Sequence, residues 1–157
     1  MTEILIADDS EDDAFLIRRA LEAANIANPL RVVKDGEEVI AYLKGEPPYA
    51  SREEFPFPGL LLLDLRMPCM DGFEVLRRVR EQAEWKNLRV VVLTSATDIR
   101  DANRAFALGA NSFMIKPIDF MRFAEFAQAL AGSWVWMGAP ERMYESVKPL
   151  AEAWMAA

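Results

Sequence analysis

Four apolar runs in this chain each end on residues that can handle phosphate or a divalent cation. Residues 4–7 run into Asp8 and Asp9, and 60–63 run into Asp64. Residues 90–93 run into Thr94, and 112–115 run into Lys116. If the runs are parallel strands lying side by side, three carboxylates, one hydroxyl and one ammonium gather along one edge. Two like charges about 4 Å apart cost roughly 4 kcal/mol at an effective dielectric near 20. Such a cluster calls for a hard cation, a shared proton or abundant water, and Mg²⁺ suits carboxylate oxygens best. Thr94 and Lys116 would hold and neutralise a transferred phosphoryl group. A carboxylate can itself be the nucleophile and form an aspartyl phosphate. Asp64 is the choice, because it follows the central run and would sit between Asp8/Asp9 and Thr94/Lys116. Asp8 and Asp9 are adjacent and cannot both face an ion alike, so one ligates it and the other holds a metal-bound water. The competing reading, solvated aspartates at strand ends, weakens once the hydroxyl and the ammonium join them.

The elements that must position these groups follow from periodicity. Residues 2–7 read as a buried strand. Ser10 is a helix N-cap with Asp13 three residues on, and Ala14, Ile17, Leu21 and Ala24 recur at helical spacing, giving a helix over 11–24. Residues 30–33 form a second strand, turned by Asp35-Gly36 into a short helix over 37–43. The stretch 45–59, with Pro47, Pro48, Pro56 and Pro58, opposes both helix and central strand and reads as a long loop with one helical turn near 51–54. It is either a plain surface insertion or, through Tyr49, Phe55 and Phe57, something more than a tether. Residues 60–63 are uniformly apolar, as a strand covered on both faces should be. Asp71-Gly72 opens a helix through Glu84, 90–93 is the fourth strand, and 99–108 is a helix stopped by Gly109. Ser112–Ile115 is the last strand, with a final helix over 120–131. The alternation predicts an α/β, flavodoxin-like, doubly wound five-stranded parallel sheet of order 2-1-3-4-5. Ligands in that architecture sit at the carboxyl ends of strands 1 and 3, where Asp8, Asp9 and Asp64 fall.

Composition narrows the chemistry. The 157 residues suffice for one domain with a core, and Lys+Arg 18 against Asp+Glu 25 leaves a formal charge of −7. An acidic surface works against direct DNA binding. No run is long enough to cross a membrane, no signal segment opens the chain, and the single cysteine, Cys69, fits a cytoplasmic setting. The absence of histidine removes histidine-based triads, histidine-ligated zinc and a phosphohistidine donor role.

Taken together, Asp8-Asp9, the segment Leu63-Asp64-Leu65-Arg66-Met67-Pro68, Met70-Asp71-Gly72, Thr94-Ser95-Ala96 and Lys116-Pro117 resemble the receiver domain of two-component response regulators. The likeness spans about residues 2–131. It implies that Asp64 accepts phosphate from a sensor histidine kinase, and that Asp9, Asp64 and the backbone carbonyl of Arg66 bind Mg²⁺, with Asp8 acting largely through water. It further implies that Lys116 pairs with the phosphoryl group, that Thr94 moves toward it, that Phe113 turns inward as the switch aromatic, and that Lys116-Pro117 is cis. The lengthened loop 45–59 resembles the single-domain regulators paired with phytochromes. Arg66, two residues past Asp64, and Ala96, two past Thr94, occupy positions that tune phosphoryl lifetime in that family. Cys69 has no His or Cys beside it in sequence to support a redox role.

The resulting expectation is a receiver domain over 1–131 and an extension over 132–157. The extension holds Trp134, Trp136, Met137, Met143, Tyr144, Trp154 and Met155. These either cover the domain's own last helix or form a homodimer or kinase-docking surface. The chain reads as a signalling module, not an enzyme with a free substrate. A haloacid dehalogenase-type phosphohydrolase would need an acid where Arg66 stands. A flavodoxin-like cofactor domain would need a phosphate loop where Asp8-Asp9-Ser10-Glu11-Asp12-Asp13 stands. A pseudo-receiver that takes no phosphate would not need the full acceptor set.

Overall fold

The computed structural model describes residues 2–23, 25–94 and 99–115. Its strands are β1 (Ile4–Ala7), β2 (Leu30–Val33), β3 (Leu60–Asp64), β4 (Arg89–Thr94) and β5 (Ser112–Ile115), all parallel in the order β2-β1-β3-β4-β5. This is the predicted order. The uniform apolar runs arise because β1, β3 and β4 are covered on both faces, where alternation with polar residues would bury polar groups. Leu5, Ala7, Leu61, Leu63, Val90 and Val92 join one core cluster with Val39, Leu43, Phe73 and Leu76. The alternating Ile4, Ile6, Leu60, Leu62, Val91 and Leu93 are equally buried and point the other way.

The helices are α1 (Glu11–Ala23), α2 (Gly36–Lys44), α3 (Gly72–Glu81) and α4 (Ile99–Ala107). α1 buries Ala14, Ile17, Ala20 and Leu21, none of which belongs to that cluster, which places α1 on the opposite face of the sheet from α2 and α3. Its cap is the expected one: Ser10 Oγ accepts from the Asp13 N–H at 3.2 Å. α2 starts at Gly36, with Asp35 accepting from the Glu38 N–H at 2.8 Å, and ends on Gly45 at φ 73°. That left-handed residue returns its N–H to the Ala41 and Tyr42 carbonyls, which a residue with a Cβ does less readily.

α3 is shorter than the predicted helix to Glu84. It stops at Glu81, Gln82 is extended (ψ 118°), and a 3₁₀ turn follows over Ala83–Trp85. The turn swings Trp85 into the core at 7 % exposure. Arg80 secures the change of direction by donating to the carbonyls of Lys86, Leu88 and Gly109 and to Asn111 Oδ1. α4 ends at Ala107, one residue short of the expected end, with Gly109 at φ 103°. The expected final helix over 120–131, the extension, and Lys116-Pro117 lie outside the described residues; the cis bond described is Pro47–Pro48.

The loop 45–59 is not a plain insertion. Its predicted turn appears as one Phe55 N–H to Ser51 carbonyl bond of 2.7 Å. Tyr49 and Phe55 pack on the core, with ring centroids 4.9 Å and 6.1 Å from that of Tyr42. The Arg52 guanidinium donates to the Tyr42, Leu43 and Phe55 carbonyls, satisfying orphan acceptors at the end of α2. Beneath it the Tyr42 hydroxyl donates to Glu3, a carboxylate only 2 % exposed. Burial and that carboxylate push the Tyr42 phenol well above its ordinary pKa, so it stays protonated.

Candidate metal and phosphoryl site

Strand register brings the acidic groups together. Ala7 pairs with Leu63, so the residues that follow, Asp8 and Asp64, leave the sheet at the same level. Asp64 pairs in turn with Leu93, and Thr94 with Ile115, so β4 and β5 end level with each other, one residue beyond the end of β3. Oxygen atoms of Asp8, Asp9 and Asp64 all lie within 4.8 Å of one another. Asp8 and Asp64 are 2 % and 3 % exposed, whereas Asp9 faces solvent. The two adjacent aspartates thus differ in burial.

Each buried carboxylate is aimed by its own loop. Asp8 Oδ1 accepts from the Ser10 N–H at 2.9 Å, and Asp64 Oδ1 accepts from the Arg66 N–H at 3.1 Å. Both bonds reach two residues ahead, the turn geometry that short acidic side chains favour. The loop after β3 is fixed further by Leu65 N–H on the Leu93 carbonyl (3.1 Å) and Gly72 N–H on the Leu65 carbonyl (3.1 Å). Gly72 is required there, because a Cβ would lie 2.5 Å from the Asp64 carbonyl oxygen and 2.8 Å from the Leu65 Cα. Gly36 is pressed in the same way, with a would-be Cβ 2.2 Å from the Met70 carbonyl oxygen. Asp71 caps α3 by accepting from the Glu74 N–H at 2.9 Å.

The donor set fits a hard divalent cation. Among the described side chains it offers carboxylate oxygens, spread over a distance close to the about 4 Å across an octahedral magnesium shell. One solvent-facing member leaves room for water or phosphate oxygens. Clustering also gives an ion something to do, since a divalent cation would offset the negative charge these carboxylates bring together.

Of the remaining predicted site residues, the Thr94 backbone closes β4 beside Ile115, and the Phe113 backbone pairs with Val92. Lys116 lies outside the described residues. The Arg66 side chain reaches α4, where Nη2 meets Asp101 Oδ2 at 2.5 Å. Sequence reading did not single out Asp101, since 35 residues separate it from Arg66 and its setting is that of an ordinary helix-surface acid. Cys69 is exposed at φ 67°, in the loop before α3.

The family model described as "Response regulator receiver domain" matches residues 4–128. Response regulator Rcp1 of Synechocystis sp. is 30% identical over 132 residues, covering 84% of this chain and 88% of that protein. Among solved structures, the Mn(2+)-bound form of response regulator Rcp1 superposes with a TM-score of 0.77 at 29% identity, over 87% of this chain and 96% of the other. The phosphorylated cyanobacterial phytochrome response regulator RcpA gives a TM-score of 0.79 at 28% identity, over 88% and 96%. The bacteriophytochrome response regulator RtBRR gives 0.72 at 32% identity, over 98% and 95%. The acidic cluster at the ends of β1 and β3, the sheet order and these likenesses agree: the chain belongs to the response regulator receiver domain family, the signal-accepting component of two-component phosphorelays.

Proposed function

We propose that this chain is a single-domain response regulator that accepts a phosphoryl group on Asp64 from a sensor histidine kinase. The observation that carries the reading is the meeting of Asp8, Asp9 and Asp64 oxygens within 4.8 Å at the switch point of the sheet. An Asp64 carboxylate oxygen attacks phosphorus, the new O–P bond forms as the phosphorus–donor bond breaks, and the donor keeps the electron pair. Asp9, Asp64 and the Arg66 carbonyl would hold Mg²⁺, with Asp8 acting through a water. Bound there, Mg²⁺ supplies the positive charge that offsets the carboxylates and the phosphoryl oxygens. Lys116 is assigned to the phosphoryl group, and Thr94 and Phe113 to the switch that reports it. Water later removes the group and restores the carboxylate. The activity is limited to this self-phosphorylation and dephosphorylation, with no free substrate turned over.

Likeness to the cyanobacterial phytochrome response regulator RcpA and the bacteriophytochrome response regulator RtBRR supports a phytochrome as the kinase that feeds this chain. The acidic balance of 25 Asp+Glu to 18 Lys+Arg supports an output through protein contacts, not DNA. No described helix is long and apolar enough to cross a membrane, and a cytoplasmic place is proposed on the single cysteine. The division into a receiver over 1–131 and an extension over 132–157, with the extension forming a homodimer contact, is proposed on the aromatic density of the latter.

Incubation with acetyl phosphate and Mg²⁺, followed by intact mass, tests the assignment. One phosphoryl addition is expected in the wild type and none in Asp64→Asn. Equal labelling of both proteins, or of neither, overturns it.

A further inference from the structure

We infer that Asp101 on α4 is a positioning residue for the chemistry at Asp64: it holds the Arg66 guanidinium on α4, and a phosphoryl group on Asp64 takes that guanidinium away. This rests on the assignment of Asp64 as phosphoacceptor and adds a residue, and a route to α4, that the acceptor set does not contain.

Arg66 has two ends with two different attachments. Its backbone N–H is bound to Asp64 Oδ1 at 3.1 Å, and its guanidinium is bound to Asp101 Oδ2 at 2.5 Å. One residue thus bridges the phosphoacceptor and a helix 35 positions away in sequence. The junction is built around the buried ring of Phe73 in the first turn of α3. Arg66 lies 5.8 Å from its centroid, and Arg104, one turn along α4 from Asp101, lies 4.0 Å from it. α4 is therefore held here in two ways, by packing of Arg104 on Phe73 of α3 and by an ionic tie to Arg66 in the phosphoacceptor loop.

The ionic tie is the breakable one. The Arg66 side chain is 58 % exposed and that of Asp101 14 % exposed, so solvent and salt screen the pair. A phosphoryl group on Asp64 would replace one negative charge by about two and present three terminal oxygens. A guanidinium prefers such a fork-shaped, doubly charged partner to a single carboxylate. Arg66 is long enough to exchange one anion for the other while its backbone stays in place. The exchange leaves the Arg104 contact and the buried Ala105 in place and loosens the first turn of α4. Asp101 thus sets how readily the cation reaches the phosphoryl group, and the phosphoryl group sets how firmly α4 is held.

The test combines Asp101→Asn, Arg66→Gln and the double variant, each loaded with acetyl phosphate and Mg²⁺. Phosphoryl decay is followed by intact mass and amide exchange is followed on 99–107. Asp101→Asn removes the competing anion, so the guanidinium stays over the phosphoryl group, shields it from water and lengthens its half-life about two- to tenfold. In the Arg66→Gln background the same substitution leaves the half-life unchanged. Exchange on α4 is expected to rise on phosphorylation in the wild type, and to be already raised in unphosphorylated Asp101→Asn. A half-life effect of Asp101→Asn that persists without Arg66, or α4 exchange indifferent to phosphorylation, overturns the proposal while leaving Asp64 as acceptor. Failure of the wild type to take up phosphate overturns the acceptor assignment and this inference with it.

Discussion

Asp8 and Asp64 are buried acids whose orientation each owes to a peptide N–H two residues ahead. Beside Asp9 they bring like charges together, an interaction on the order of a few kcal/mol for a close pair at protein-like dielectric. Asp64→Asn is therefore expected to stabilise the protein by about 1 kcal/mol in urea when Mg²⁺ is absent. Saturating Mg²⁺ should raise wild-type stability by about 2.7 kcal/mol at 100 times its dissociation constant, and raise that of Asp64→Asn by less. Identical Mg²⁺ responses in the two proteins would argue against Asp64 as a ligand. The three aspartates were legible in sequence because each follows an apolar run that could only be a buried strand. Asp101 was not legible, since its importance lies in a partner brought to it by folding.

At the scale of elements, Asp-Gly pairs do two jobs that the letters show only in part. Asp35 and Asp71 signal helix starts, and both accept from the N–H three residues on, as a cap should. The glycines after them are needed because other backbone presses against them. Alanine is ordinarily favoured over glycine in a helix by about 1 kcal/mol. At position 72 the overlap with the Asp64 carbonyl should outweigh that gain, so Gly72→Ala is expected to cost about 1–3 kcal/mol in chemical denaturation. It should also lower phosphoryl uptake, because the end of β3 must shift to admit the methyl group. A variant as stable as the wild type with full uptake would refute the close packing. The end of α3 differs from the predicted one for a related reason: the helical reading runs on through Glu84, but burial of Trp85 and the carbonyl clasp by Arg80 bend the chain away.

For the whole molecule, the alternation of strands and helices leaves few ways to cover a parallel sheet on both sides, and the predicted order is the one found. The loop 45–59 was the ambiguous part. Its four prolines opposed helix and central strand, but its role as a cover for the end of α2 depends on Arg52, Tyr49 and Phe55 finding α2 in space. Oligomeric state belongs to this scale too. If 132–157 forms a dimer contact, size-exclusion chromatography with light scattering should report a dimer for the full chain and a monomer after removal of those residues. A monomer in both cases would end that proposal.

Local chemistry in the sequence was enough to determine the strand runs, the helix caps and the placing of Asp8, Asp9 and Asp64 at strand ends. Those features are set by periodicity and by backbone needs within a few residues of each other. Tertiary structure alone decided that Asp8, Asp9 and Asp64 share a space of ionic size, that Gly72 carries the Asp64 carbonyl against it, and that Arg66 is bound to α4. Distances between residues far apart along a chain depend on strand register and helix packing, which arise only when the sheet and its helices close upon one another.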